Sequence, residues 1–353
     1  MFISRKSVIF AHKFNQMKKN LDLQLSIIVP VYNVEKYIRP CFESIFNQGL
    51  NDTDYEIIIV NDDTKDRSME MIADIINQHN NITIINQDHQ GLSVARNNGI
   101  TKARGEYILM PDSDDLLVEN SLKPLLEKAL ETKADLIIAD FLTINDPKIE
   151  ESLLNIPLQA APIYIEKTGE QLYLEVLNPY HCYVWRTLYR KEFITTQNLS
   201  FYPGIRYQDI PFTHECFIKA SNGIKTNIIL NIYRKWPNSS TGYYTNDNTK
   251  NFIIAIAKTW QLRQTEGLPS KVLYKLEENV YTSFRTLLYH IMHSAKQKAD
   301  RNEIIDFLND QFPDLHFVHD FRQRFITMMI KRMPHLFINL YYQYGQIVYK
   351  YKH

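Results

Sequence analysis

Three carboxylates within four residues are the feature of this sequence best suited to chemistry. Asp112, Asp114 and Asp115 follow a short apolar run at residues 107–110. Like charges this close repel one another, and they stay ionised only if water, a cation or a shared metal ion such as Mg²⁺ or Mn²⁺ offsets the repulsion. In the structural alternative, Asp112 and Ser113 form a turn and Asp115 caps the next helix.

Two further polar segments follow apolar runs in the same way. Residues 30–35 lead directly into a helical pattern, which suits an anion or a nucleotide, although an ordinary connection capped by Asn33 would also explain them. Asp62 opens an acidic segment after the next run. Its carboxylate could accept a hydrogen bond from a base N–H or a ribose hydroxyl.

Arg96 is the basic residue placed among these acidic segments, within residues 90–99. Its planar guanidinium suits a phosphate and a carboxylate alike. The sequence leaves open whether Arg96 contacts a ligand or holds the carboxylate loop in place.

Alternating strands and helices must position these residues. Five apolar, β-branched runs occur in the first 140 residues, at 25–29, 55–60, 82–86, 106–110 and 135–140. The helical pattern after the first run spaces its apolar residues by three and four, and Pro40 within it predicts a kink or a late helix start. Such alternation is typical of βαβ units in a mainly parallel sheet, where ligands bind at the carboxyl ends of the strands.

Composition bounds the class of protein. The 353 residues are 44% hydrophobic, enough for a substantial core, and 40 basic and 40 acidic residues cancel, so the global charge does not favour nucleic acid. Cys41, Cys182 and Cys216 are odd in number and lack metal-ligand spacing, which indicates a reducing, cytoplasmic compartment. No run supplies the ~20 apolar residues of a spanning helix.

In order along the chain, the segments 28–33, 60–66, 91–97 and 112–115 resemble the family-2 glycosyltransferases, nucleotide-sugar enzymes of the GT-A fold. The resemblance covers about residues 25–140. It implies an α/β fold with a Rossmann-like, mainly parallel sheet and flanking helices, followed by a helical C-terminal region. Its implied nucleotide-binding residues are Pro30, Tyr32, Glu35, Asp62, Arg96 and Asp112, with Asp62 at the base, usually uracil. Its implied metal ligands for Mn²⁺ or Mg²⁺ are Asp112 and Asp114, with Asp115 adjacent.

Two positions depart from the family pattern. Asp63 stands where the family usually has glycine. This replacement is tolerable if the loop needs no positive φ at that position, or because Asp accepts positive φ better than most residues. Gln208 replaces the Glu of the Glu-Asp pair in the acceptor-side segment. Asp209 is retained and is our candidate general base, with helix capping as the competing role.

The resulting interpretation is an inverting, metal-dependent glycosyltransferase. It would move a sugar from a UDP donor to a hydroxyl of a bacterial surface glycan or a lipid-linked acceptor. The alternative is a non-catalytic subunit that binds nucleotide sugar or glycan in a polysaccharide assembly complex. A nucleotidyltransferase would need a basic, glycine-rich loop after the first strand, where this chain has residues 30–33.

We expect four segments: a basic leader at 1–24, a nucleotide-sugar-binding half at 25–140, an acceptor-side half at 141–245 and a helical extension at 246–353. His181 and His214 lack metal-ligand spacing and are interpreted as structural or acceptor-pocket residues. The basic, aromatic tail at 321–353 could lie on the anionic inner face of the cytoplasmic membrane. Packing of this tail against the catalytic domain or a second subunit is the simpler explanation.

Overall fold

The computed structural model describes residues 23–145, 161–235 and 244–352, with side chains described to residue 347. Most of the predicted leader lies outside these residues. The chain forms two compact units. Within the described residues, the first unit draws on 23–145, 161–169, 183–203 and 219–235, and the second on 170–182, 204–218 and 244–352.

A single sheet forms the centre of the first unit. In the part of the chain that the structure describes, its nine strands are β1 (Leu25–Val31), β2 (Tyr55–Asn61), β3 (Ile82–Asn86), β4 (Tyr107–Leu109), β5 (Leu116–Leu117), β6 (Leu136–Asn145), β7 (Tyr164–Thr168), β8 (Thr187–Arg190) and β9 (Asn222–Lys235). Their order is β3-β2-β1-β4-β8-β6-β9-β5, with β7 beside β9. The strands β3, β2, β1 and β4 are parallel, and β6 is parallel to β9, whereas β8, β5 and β7 pair antiparallel.

The five predicted strands are confirmed. β1 to β4 begin and end within two residues of the predicted bounds, whereas β6 extends to Asn145, five residues beyond its predicted end. All residues of β1 are buried, and so are all of β2 except its last, which accounts for their unbroken apolar sequence. The register pairs Val31 with Asn61, and Asn61 with Asn86. The first three strands therefore end level with one another, and the segments that follow them start from one edge of the sheet.

Six helices accompany this sheet in the described part of the first unit. They are α1 (Ile38–Phe46), α2 (Ser68–Met71), α3 (Ala73–Gln78), α4 (Leu92–Lys102), α5 (Leu122–Thr132) and α6 (Lys191–Thr196). The late start predicted from Pro40 is confirmed, since α1 begins only two residues before it. The predicted cap was wrong: Asn33 has a φ of 54° and its side chain accepts a hydrogen bond from the Lys65 amide at 3.2 Å.

The second unit is helical. Its helices are α7 (Asp209–Lys219), whose last residue belongs to the first unit, then α8 (Asn246–Gln261), α9 (Ser270–Ser294), α10 (Lys298–Gln311), α11 (Phe321–Arg332) and α12 (Pro334–Lys352). Shorter helical turns occupy Leu172–Val176 and Leu262–Gln264 in this unit, Val184–Arg186 in the first unit, and Gly169–Gln171 at the boundary between the two in sequence. An apolar stripe along α9 is buried. Among the described residues, no helix has the length and apolar character needed to cross a membrane.

Candidate active site

The acidic cluster after β4 is the centre of the candidate site. The carboxylates of Asp112, Asp114 and Asp115 place one ligand oxygen each within 4.8 Å of one another. Asp112 and Asp114 are partly exposed, whereas Asp115 is buried. The predicted turn is present too, because the Asp115 amide donates to the Asp112 carbonyl at 3.2 Å. The predicted cap is wrong, because Asp115 is followed by β5, and α5 starts only at Leu122.

Asp115 has an incomplete set of partners. Its Oδ1 accepts a hydrogen bond from the Arg234 backbone amide on β9 at 2.8 Å, while its buried Oδ2 has no hydrogen-bond partner among the described residues. Burial, followed by repulsion from Asp114 and Asp112, raises the pKa of Asp115 well above its ordinary value, and the contacts with Arg234 only partly oppose this. A cation in the cluster would supply the missing partner and remove the repulsion.

Arg96 holds the other end of the cluster. Its guanidinium is buried, and Nη2 lies 2.5 Å from Asp112 Oδ1. The same guanidinium lies over the ring of Phe201, 5.4 Å from the centroid, and Cys41 donates its thiol to the Asp112 carbonyl. Of the two predicted roles for Arg96, the structure shows the contact to a carboxylate. Ligand contact stays a prediction.

Asp62 lies at the same edge of the sheet, but its carboxylate is already engaged. Oδ1 accepts hydrogen bonds from Gln87 Nε2 at 2.7 Å and the Gln90 amide at 2.8 Å. Oδ2 accepts from the Gly91 amide at 2.9 Å and lies 2.9 Å from His89 Nδ1. These four contacts use the acceptor positions of an ionised carboxylate. Asp62 therefore holds the loop after β3, and a base could reach it only by replacing one of these partners.

His89 belongs to the same edge of the sheet, although the sequence did not predict a role for it. Its ring stacks on Tyr32, with centroids 4.1 Å apart and planes inclined by 20°. Tyr32 is 40% exposed, as expected for a residue that lines an open pocket. The available sequence signal was position alone, because His89 follows β3 at the edge where Tyr32 and Asp62 follow their own strands.

The loops after β1 and β2 are linked by hydrogen bonds. The Glu35 amide donates to Asp66 Oδ2 at 2.9 Å, and Glu35 Oε2 accepts from the Arg67 amide at 3.1 Å. Glu35 is therefore a structural link between the loops, and its predicted contact with nucleotide stays a prediction. Pro30 is buried within β1. Asp63 has a φ of 57°, so this loop does require the region that favours glycine, and Asp accepts it.

Asp209 is the first residue of α7 and is partly exposed, in the second unit. Its role as a base stays a prediction. The neighbouring Gln208 is buried, and its Oε1 has no hydrogen-bond partner among the described residues. Further along α7, His214 is buried with its Nδ1 2.7 Å from the Tyr173 hydroxyl. Its position fits the structural role expected for it.

Aromatic residues mark the acceptor-side segment within the first unit. Trp185 stacks on Tyr183 at a centroid distance of 4.7 Å, and Phe141 meets both rings edge-on. Tyr233 of β9 lies within 6 Å of the same two rings. Trp185 is buried, so the partly exposed rings of Tyr183, Tyr233 and Phe141 form the accessible part of this cluster.

Comparison with known proteins finds a family match over part of the chain. Residues 26–194 match the model described as "Glycosyl transferase family 2". The "Uncharacterized glycosyltransferase EpsJ" of Bacillus subtilis (strain 168) is 37% identical over 219 residues, which are 62% of this chain and 62% of that protein. The segment 26–194 is therefore similar to glycosyl transferase family 2. The chain's match to EpsJ spans less than two thirds of that relative's length.

Two solved structures share the fold. S. aureus TarS 1-349 in complex with UDP has a TM-score of 0.65 at 16% identity, covering 91% of this chain and 89% of that one. The mannosyltransferase PcManGT from Pyrobaculum calidifontis, in complex with GDP-Man and Mn²⁺, has a TM-score of 0.52 at 13% identity, covering 93% and 92%. At these identities the likeness concerns the fold, which confirms the GT-A class with a helical C-terminal region.

Proposed function

We propose that this chain is an inverting glycosyltransferase that moves a sugar from a UDP donor to a hydroxyl of a bacterial surface glycan or a lipid-linked acceptor. The observation that carries the proposal is the cluster of Asp112, Asp114 and Asp115 at the carboxyl edge of the sheet in a segment similar to glycosyl transferase family 2. The UDP bound by TarS, a protein of the same fold, supports the choice of nucleotide.

The donor set of the cluster fits Mn²⁺ or Mg²⁺. Three carboxylates that share an open turn match the preference of these ions for one or two protein carboxylates completed by phosphate oxygens. The buried Oδ2 of Asp115 lacks a partner that a cation would provide. When bound, such an ion would stabilise negative charge on the leaving diphosphate. The Mn²⁺ in the mannosyltransferase of the same fold supports this assignment.

The residues of the chain have separate tasks in this proposal. Arg96 keeps Asp112 oriented, and Tyr32 offers an exposed ring on which a base can stack. Asp209 would accept the proton of the attacking hydroxyl, because a carboxylate can serve as a general base. A single displacement with no covalent intermediate inverts the anomeric carbon.

The first experiment measures thermal stabilisation by UDP and by GDP, each with and without Mn²⁺. A ligand at a hundredfold excess over its Kd stabilises the folded state by about 2.7 kcal/mol. We expect UDP to stabilise the protein only with Mn²⁺, and Asp114→Ala to abolish the effect. Asp74→Ala, which removes an exposed carboxylate paired with Arg39, is the matched control and should respond like wild type.

Equal stabilisation by UDP and GDP would refute the base assignment, and metal-independent stabilisation would refute the role of the cluster. The second experiment measures donor turnover by wild type and Asp209→Asn with acceptor extracts. Turnover by wild type that is lost in Asp209→Asn, with UDP binding retained, supports the enzyme and its base. UDP binding without turnover by wild type would instead support the non-catalytic subunit.

A further inference from the structure

The last two helices each expose several large apolar side chains. On α11, Phe321 is 82% exposed, and Phe325 and Met328 follow at spacings of four and three residues, so all three lie on one face. The same periodicity recurs on α12, where the exposed apolar residues are Leu336, Leu340, Tyr344 and Ile347. Met333, between the helices, is exposed too.

The exposed stripes are separate from the faces through which these two helices pack against the protein. The opposite faces of both helices already pack, through the buried side chains of Met329, Ile330, Phe337 and Ile338. Both helices are therefore amphipathic in place, with one apolar face packed and another facing outward. Residues such as Phe, Leu and Tyr on an outward helical face are typical of helices that lie in a lipid interface.

The charge of the segment fits an anionic surface. Residues 321–353 contain six Lys and Arg and no Asp or Glu. Carboxylates that touch the helices come from other elements, where Glu278 accepts a hydrogen bond from Gln323 at 2.7 Å and Asp306 pairs with His335. Asp320 caps the start of α11. The four basic side chains of α11 are exposed and form no ion pair with a carboxylate among the described residues, so their charge is available to an external partner.

A cavity lies beside the α11 stripe. Its volume is about 620 Å³, and its lining includes Arg324, Lys331 and Arg332 together with Phe317 and Met328. Arg324 and Lys331 also donate to backbone carbonyls, which holds them at the rim. Three cations beside apolar side chains suit a phosphate with an acyl chain attached, the chemistry of an anionic phospholipid.

We propose that α11 and α12 dock this protein onto an anionic phospholipid bilayer. The apolar stripes enter the interface, and the cavity lined by Arg324, Lys331 and Arg332 takes a lipid phosphate. The helices lie on the membrane and do not span it. This inference stands on the second unit alone and does not depend on the proposed sugar transfer.

The test is co-sedimentation of the full chain with phosphatidylcholine vesicles, with and without phosphatidylglycerol, at low and high salt. We expect binding only to vesicles that contain phosphatidylglycerol, and its loss at high salt. Arg324→Gln, Lys331→Gln and Arg332→Gln combined should weaken binding on the order of 100-fold, since each basic residue near the surface contributes about fivefold. The matched charge control is Lys102→Gln, an exposed lysine of the first unit.

The apolar arm uses Phe321→Ser, Phe325→Ser and Met328→Ser combined, with Ile165→Ser, an exposed isoleucine of β7, as its control. We expect vesicle binding to fall in the α11 variant alone, with an unchanged circular dichroism spectrum and melting temperature. The proposal would be overturned if phosphatidylglycerol did not increase vesicle binding by wild type, or if the variants bound vesicles as wild type does. A wild-type dimer that the α11 variant converts to monomer would assign the face to a second copy instead.

Discussion

Acidification should destabilise this protein in part by favouring protonation of a buried histidine, His214, in the unfolded chain. Burial lowers the pKa of His214 from 6.5 to about 3, so the folded state keeps the imidazole neutral. The unfolded chain takes up a proton near the ordinary pKa. Because only the unfolded state gains the proton, stability is lost as the pH falls from about 6.5 toward 3.

The size of this effect follows from the two pKa values. Between pH 7 and pH 5 the unfolded state gains about 2 kcal/mol from protonation of His214, while the folded state gains almost nothing. The assay is urea denaturation of wild type and His214→Gln at both pH values. We expect wild type to lose about 2 kcal/mol more than the variant over this range.

One further measurement tests the same protonation. Hydrogen exchange in α7 should accelerate at pH 5 in wild type, because His214 anchors that helix to Tyr173. Equal loss of stability in wild type and His214→Gln would show that His214 is not held neutral, and the reasoning from burial would fail.

Three substitutions at the candidate site have distinct expected outcomes. Asp115→Asn removes a buried carboxyl group whose charged form is disfavoured by burial and by its acidic neighbours, so it should raise the melting temperature of the metal-free protein. It should also weaken Mn²⁺ binding about tenfold or more, measured by calorimetry, and unchanged Mn²⁺ affinity would exclude Asp115 from the site. Asp63→Val should lower the free energy of unfolding by about 1–2 kcal/mol and Asp63→Gly should hardly change it, because the residue has a φ of 57°; chemical denaturation measures both. Equal losses in the two variants would show that the backbone at residue 63 is not strained. Arg96→Lys should lower the free energy of unfolding by about 1.5–3 kcal/mol and weaken UDP binding in the presence of Mn²⁺, since the buried planar contact to Asp112 is lost. If both the stability and the UDP affinity were fully retained, the positioning role of Arg96 would be refuted.

The strands, most helices and the acidic cluster could be predicted from the sequence, because each depends on local pattern. Runs of β-branched residues defined β1 to β3 within two residues. Pro40 predicted the late start of α1, because proline disfavours helix interiors and is tolerated in the first turn.

The contacts between distant segments could not be predicted. The sequence predicts that Asn33 caps a helix, but its side chain instead accepts a hydrogen bond from the Lys65 amide in another loop. His89 has no local feature that predicts stacking on Tyr32, 57 residues earlier in the chain. The single Gly-to-Asp departure at Asp63 had two possible explanations in sequence, and only the backbone angle chose between them.

The hydrogen bond from the Arg234 amide to Asp115 joins residues 119 positions apart. A ribosome must therefore synthesise two thirds of this polypeptide before Asp115 can acquire that anchor. A recombinant fragment cut at residue 194, where the family match stops, would contain every acid of the cluster but would lack β9. Fragments designed to keep the acidic cluster anchored should accordingly extend through residue 235.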